Sequence, residues 1–342
     1  MPFDQGLALL IGVGTYAHIP WANVPITHHD ALQVQKVLSD PERCGYPENQ
    51  IKLLHDENAT RDDVIGALKT LQTANEDNTV FIFYSGHGQY GTDGDYYLTT
   101  HDTTLDANDK VENGSGISEK VLIDLLRQIP ARRLILILNA CHSGAVSPSL
   151  DLSAPGKSFG SVAPPQQSLD AALSSGEGRI IITACRPDQK SWVGNGATTI
   201  FANSLAEGLS GGGYVVNNNG YVSAFSLYEH MFLTVKDAAG ELGQLQEPEL
   251  SVLKNVGQFP VAIYRGATSL GEFNAGEAAP AGTAAREVSP DRSQRLFDRY
   301  SIHIDTMEGG FIQQGWRVKG DVKQAGGDFY DGTSKTNKSE DQ

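Results

Sequence analysis

Short, nearly unbroken apolar runs rich in Ile, Leu and Val alternate along the chain with longer stretches in which apolar residues recur every three or four positions. The first kind suits strands buried on both faces and the second suits amphipathic helices. Their alternation predicts an α/β domain built on a mostly parallel sheet of about six strands, with helices on both faces. The expected strands are Leu7–Val13, Ile51–Leu54, Val80–Tyr84, Leu134–Leu138, Ile180–Thr183 and Pro260–Tyr264. Helices are expected over Thr27–Leu38, Ser118–Gln128, Thr199–Leu209 and Ser223–Asp237, and after Thr60 in "NATRDDVIGALKTLQ". There Thr60 is the natural cap, and Asp62 and Asp63 are the first-turn acids that a helix amino end favours.

Two segments break this rhythm. Ser147–Gly178 is rich in Ser, Pro, Ala and Gly and separates two core strands, a length of loop that usually has a function or lacks order. Residues 266–290 have the Gly/Ala/Glu composition of a linker, and 291–342 carry glycine-punctuated alternation that reads as a small β-rich or disordered tail. The expected organisation is therefore a domain over 1–265, divided into 1–146, the loop 147–178 and 179–265, followed by linker and tail.

Charge narrows the partners. With 26 basic and 41 acidic residues the formal net charge is −15, which argues against nucleic acid or an anionic membrane and mildly favours cationic substrates. The three cysteines, Cys44, Cys141 and Cys185, form neither a disulfide framework nor a Cys-x-x-Cys zinc pattern. The opening "MPFDQGLALLIGVGTY" has no basic leader, and no apolar stretch is long enough for a bilayer, so a cytoplasmic location with reduced thiols is expected.

The chemistry sits at two strand ends. "LILILNACHSG" runs a buried strand into Cys141, and "VFIFYSGHGQYG" runs another into His87 between two glycines. In open α/β sheets ligands bind at the carboxyl ends of parallel strands, so adjacent strands would bring these two residues face to face. A cysteine after an apolar strand is more often core than nucleophile. Beside a histidine it becomes a candidate thiolate, with glycines leaving room for backbone N–H groups to reach an oxyanion.

These residues carry a resemblance. "YSGHG" and "ACHSG" resemble the histidine and cysteine motifs of the caspase-like cysteine peptidases, in the metacaspase and bacterial caspase-homologue branch. "ALLIGVGTYAHIP", "THHDALQVQKVL", "ENATRDDVIGAL", "IIITACRPDQKSW" and "QEPELS" resemble further family segments in the family's order, over about residues 6–265. The resemblance implies a caspase-like three-layer sandwich and a cysteine endopeptidase working through a thioester without an organic cofactor. His87 is then the general acid/base, Cys141 the nucleophile, and the backbone N–H groups of Gly88 and Cys141 the oxyanion hole. It also implies a bacterial signalling, stress, cell-death or defence setting.

In the metacaspase pattern a basic substrate side chain is held by an aspartate, a serine and a second aspartate. The matching positions are Asp30, Ser85 and Asn139, so the last carboxylate is an amide here. An amide still accepts a hydrogen bond from a guanidinium but adds no charge. The aspartate-cleaving caspases use arginines instead. This chain has no Arg before Arg43 and places Val193 after Ser-Trp, so cleavage after Arg or Lys is the expectation. Asp93, Asp95 and Asp102 form the candidate ligand set for calcium as an activator, against the plainer reading of a solvated acidic loop. Lys157, the basic residue inside the 147–178 loop, is the candidate self-cleavage site. Expected partners are protein or peptide substrates with a basic residue at the cleavage site, and a regulatory partner at the tail. His28 and His29 read as surface or groove residues, Cys44 and Cys185 as inert core thiols. The competing class is a caspase homologue that binds partner proteins without cleaving them.

Overall fold

A computed structural model describes residues 2–140, 164, 178–186, 189–194, 196–253 and 258–266. Strand β1 (Gly6–Gly12) leads through a loop to helix α1 (Ile26–Ser39), then β2 (Ile51–His55), α2 (Arg61–Thr70) and β3 (Thr79–Ser85). Three short strands follow, β4 (Gly88–Tyr90), β5 (Tyr96–Leu98) and β6 (Ile117–Ser118), before α3 (Glu119–Arg127) and β7 (Arg133–Asn139). The remainder is β8 (Arg179–Thr183), α4 (Ile200–Leu209), β9 (Tyr221–Ser223), α5 (Ala224–Glu241), β10 (Glu249–Leu253) and β11 (Pro260–Ile263).

The main sheet has six strands in the order β10-β8-β7-β3-β1-β2. All its pairings are parallel except that of β10 with β8. Period-two alternation divides each central strand between two cores. Val80, Ile82 and Tyr84 of β3, with Leu134, Leu136 and Leu138 of β7, face α2 and α3. Phe81, Phe83, Ile135 and Ile137 face α1, α4 and α5. Both faces are thus covered, giving the expected α/β sandwich. Truncating one of these rings, as in Phe83→Ala, removes contacts worth about 3–5 kcal/mol.

Capping residues fix where the helices begin. Thr60, Ser118, Thr199 and Ser223 each accept a hydrogen bond from a backbone N–H of their own first turn. The chain departs from expectation in one strand. Pro260–Ile263 does not enter the main sheet but pairs antiparallel with β9, and Glu249–Leu253 takes the sixth place instead. The place beside β8 is a sheet edge, where a leading proline is tolerated, so residue type alone does not decide which segment fills it. Cys141, Lys157, the 147–178 loop apart from Pro164 and Gly178, and the 267–342 linker and tail lie outside the described residues.

Candidate active site

Strands β3 and β7 run parallel in register, Tyr84 beside Leu138 and Ser85 beside Asn139. The ladder continues one step, since Gly86 N–H donates to Asn139 O at 3.2 Å. His87 lies two residues beyond Ser85, and Cys141 follows two residues after Asn139 in sequence. Ala140, the residue before it, is fully buried. Gly86 is required here: a Cβ would come within 2.5 Å of the Tyr84 hydroxyl.

The main chain of His87 is pinned from three sides. Its N–H donates to the Tyr16 hydroxyl at 3.1 Å, and its carbonyl oxygen accepts from the Tyr84 hydroxyl at 2.7 Å and from Thr99 N–H at 3.0 Å. The imidazole lies 5.5 Å from the Tyr16 ring in a stacked arrangement. Its Nε2 is 2.9 Å from Ala22 O. A carbonyl oxygen only accepts, so Nε2 carries the proton and the neutral ring keeps its lone pair at Nδ1. The side chain is buried, and desolvation pulls its pKa down to about 4, against the smaller opposing effect of the Ala22 carbonyl. At neutral pH the His87 ring is therefore neutral.

A second cluster lies beside it. Asp30 of α1 is fully buried, as are Ser85, Asn139, Ser191 and Thr199. Asp30 Oδ1 accepts from Thr199 N–H at 2.8 Å. Its Oδ2 accepts from Ser85 Oγ at 2.7 Å, Thr199 Oγ1 at 3.0 Å and Asn139 Nδ2 at 3.1 Å. Asn139 is oriented by its other end, where Oδ1 accepts from Ser191 Oγ at 2.8 Å. Despite these donors, burial raises the Asp30 pKa to about 7. The three residues expected to hold a basic side chain therefore touch one another, closed over by Ser191 and Thr199.

Other expectations fall differently. Asp93 accepts from Tyr97 OH and Asp95 N–H in the β4–β5 turn, while Asp102 accepts from Arg61 N–H and Thr100 Oγ1. Their carboxylates form no common ligand set among the described residues. Gly88 opens β4 directly after His87. Cys44 and Cys185 are buried, and burial pushes the Cys44 thiol far above its ordinary pKa. His28 is no plain surface residue: its Nδ1 lies 2.9 Å from Asp56 Oδ2. Sequence reading missed Tyr16, Thr99, Ser191 and the pairing role of Thr199. Only Thr199 left a signal, as the cap of an expected helix. Among the described residues no helix is long and apolar enough to cross a membrane.

A family model described as the caspase domain matches residues 5–259. Among solved structures the chain is similar to protein GSU0716 from Geobacter sulfurreducens, at 18% identity and a TM-score of 0.49, covering 76% of this chain and 99% of that one. No curated protein matches it.

Proposed function

Since the chain belongs to the caspase-domain family of cysteine peptidases, we propose that it is an endopeptidase that cleaves after Arg, and less readily Lys, through His87 and Cys141. The observation that carries this reading is the in-register β3–β7 pair, beyond whose end, two residues after Ser85, lies a histidine whose Nε2 proton leaves the lone pair at Nδ1. In the proposed reaction the Cys141 thiol gives its proton to Nδ1 as sulfur attacks the scissile carbonyl carbon. The imidazolium then returns that proton to the leaving amine as the C–N bond breaks, leaving a thioester. Water, deprotonated by the same nitrogen, hydrolyses the thioester and restores the thiol. Backbone N–H groups of Gly88 and Cys141 would stabilise the oxyanion of each tetrahedral intermediate.

Asp30 supports the choice of a basic side chain. A guanidinium entering the knot would meet one carboxylate, one hydroxyl and one amide oxygen, the acceptors and charge it needs. Entry requires Ser191 and Thr199 to yield, because the cluster is sealed. The 147–178 loop would be cut after Lys157, by the same specificity. Sealing of Asp30 also favours a second reading, a caspase homologue that binds partner proteins without cleaving them.

Labelling with a peptidyl-arginine electrophile separates the two. A peptidase should be modified at Cys141, and His87→Ala should lower both labelling and peptide turnover about 100- to 10,000-fold. A scaffold would leave Cys141 unmodified in the wild-type chain.

A further inference from the structure

Where the end of β2 meets the β1–α1 loop and the first turn of α1 lies a group of side chains with different chemistry. We propose that His28, His55 and Asp56 form a binding site for a transition-metal dication of the zinc class. Among the described residues it is the one group of three metal-ligating side chains whose donor atoms all lie within 4.8 Å of one another.

The donor set is right for such an ion. Two imidazoles and one carboxylate supply borderline nitrogen and one negative charge, which suits zinc better than the all-oxygen shells of calcium or magnesium. His28 Nδ1 is 2.9 Å and His55 Nδ1 3.9 Å from the same atom, Asp56 Oδ2. That oxygen is aimed by its partner. Asp56 Oδ1 accepts from the N–H groups of Gly14 and Thr15, both at 2.9 Å, which turns Oδ2 toward the two rings. Outer hydrogen bonds of this kind orient ligating carboxylates in metal sites. Asp56 holds the position with a left-handed backbone, φ 46°, a strain that tends to gather at functional sites.

A plain hydrogen-bonded cluster explains less. One N–H of His28 satisfies Asp56 Oδ2, but His55 Nδ1 is buried and has no hydrogen-bond partner among the described residues. Its ring is stacked on that of His28, centroids 4.2 Å apart and planes 7° from parallel. Parallel rings cannot both aim in-plane lone pairs at one ion. Binding would splay them and draw the three donors to about 3.4 Å from one another, the separation set by tetrahedral bonds of about 2.0–2.2 Å. Both histidines are partly exposed, so the rings have room to turn and water has access to the fourth position. The same Asp56 grips the residue before Tyr16, so an ion here would brace the loop that also carries Ala22.

The test uses the untagged full chain carrying Cys141→Ala, which removes the strongest rival zinc ligand. Zinc titrated against a chromophoric chelator should show one ion per chain. Adding His55→Ala, His55→Gln or Asp56→Asn should each weaken binding at least tenfold, with circular dichroism reporting that the fold persists. Cobalt should give the visible bands of a four-coordinate nitrogen–oxygen site without sulfur charge-transfer absorption. Absence of stoichiometric zinc binding, or binding undiminished in the His55 variants, overturns the site.

Discussion

The His87 corner and the Asp30 knot sit at the same end of the sheet, are both buried, and solve the problem of a buried titratable group in opposite ways. His87 is tied mainly through its main chain, to two tyrosine hydroxyls and Thr99. Its side chain is oriented by Ala22 O. Asp30 is tied through its carboxylate, which takes donors from three residues. Burial drives the first to about pKa 4 and the second to about 7, so each is pushed toward its neutral form. The difference teaches what each is suited to do. A histidine left neutral, with Nε2 oriented on a carbonyl, can take up a proton only while a neighbouring negative charge offsets its burial. An aspartate raised to about 7 has a charge that burial only marginally tolerates, and in the proposed reading a cationic guest would complete its ionisation.

Removing the charge is the strongest way to break this contrast. Asp30→Asn should lower kcat/KM on an arginine peptide by about 2–4 kcal/mol of transition-state binding, while labelling of Cys141 by a small uncharged electrophile stays near wild type. Loss of both activities together would place Asp30 in the architecture instead of in recognition.

A milder perturbation adds charge. Asn139→Asp would set a second carboxylate where Nδ2 now lies 3.1 Å from Asp30 Oδ2. Two carboxylates this close resist joint ionisation. The substrate-free variant should melt on the order of 5 °C lower at alkaline pH, as expected for about 2 kcal/mol in a domain of this size, and recover near pH 5. In the presence of an arginine ligand the loss should shrink, and cleavage after Lys should gain most. Thermal melts with and without ligand check it.

The smallest effect is on the pH profile of stability. His87 and His230 both titrate near 4 when folded and from 6.5 when unfolded. Below about 6.5 the unfolded chain takes up protons first, so their contribution is lost as pH falls toward 4. Asp30 acts with the opposite sign: its unfolded carboxyl ionises from 3.8 and its folded one near 7, so stability is given up as pH rises between them. His230→Gln should therefore flatten the acid limb of the melting curve, and Asp30→Asn should steepen it. Melting temperatures between about pH 4 and 7.5 read both.

Local signals made much of this legible. The five strands from Leu7 to Thr183 lie within a residue or two of expectation, because four of them are apolar runs buried on both faces and the edge strand Ile51–His55 still carries a short apolar run. Caps at Thr60 and Thr199 were written in residue type. Register, by contrast, is non-local: nothing in "ELSVL" or "PVAIY" says which will pair with β8, and the sheet took the former. The short β4–β6 meander hid inside an acidic stretch, its strands of two or three residues too brief for alternation to show. Asp30, Ser85 and Asn139 were placed by motif, but Ser191 and Thr199 reach them only across sequence separations of 52 and 169 residues. A backbone oxygen, such as that of Ala22, has no letter of its own.

That last point has a genetic consequence. Since the group orienting His87 is a peptide carbonyl, no amino-acid replacement at position 22 can delete it; a replacement there can act only by moving the backbone that carries it. Inheritable loss must come from residues that shape the strap, such as Asn23, whose Oδ1 accepts from Tyr16 N–H at 2.8 Å, or Pro20, which sets the turn before Ala22. A screen for inactive alleles should gather hits at the flanks of position 22, and at the position itself only from larger side chains that displace the strap, because Ala22 is buried in the core.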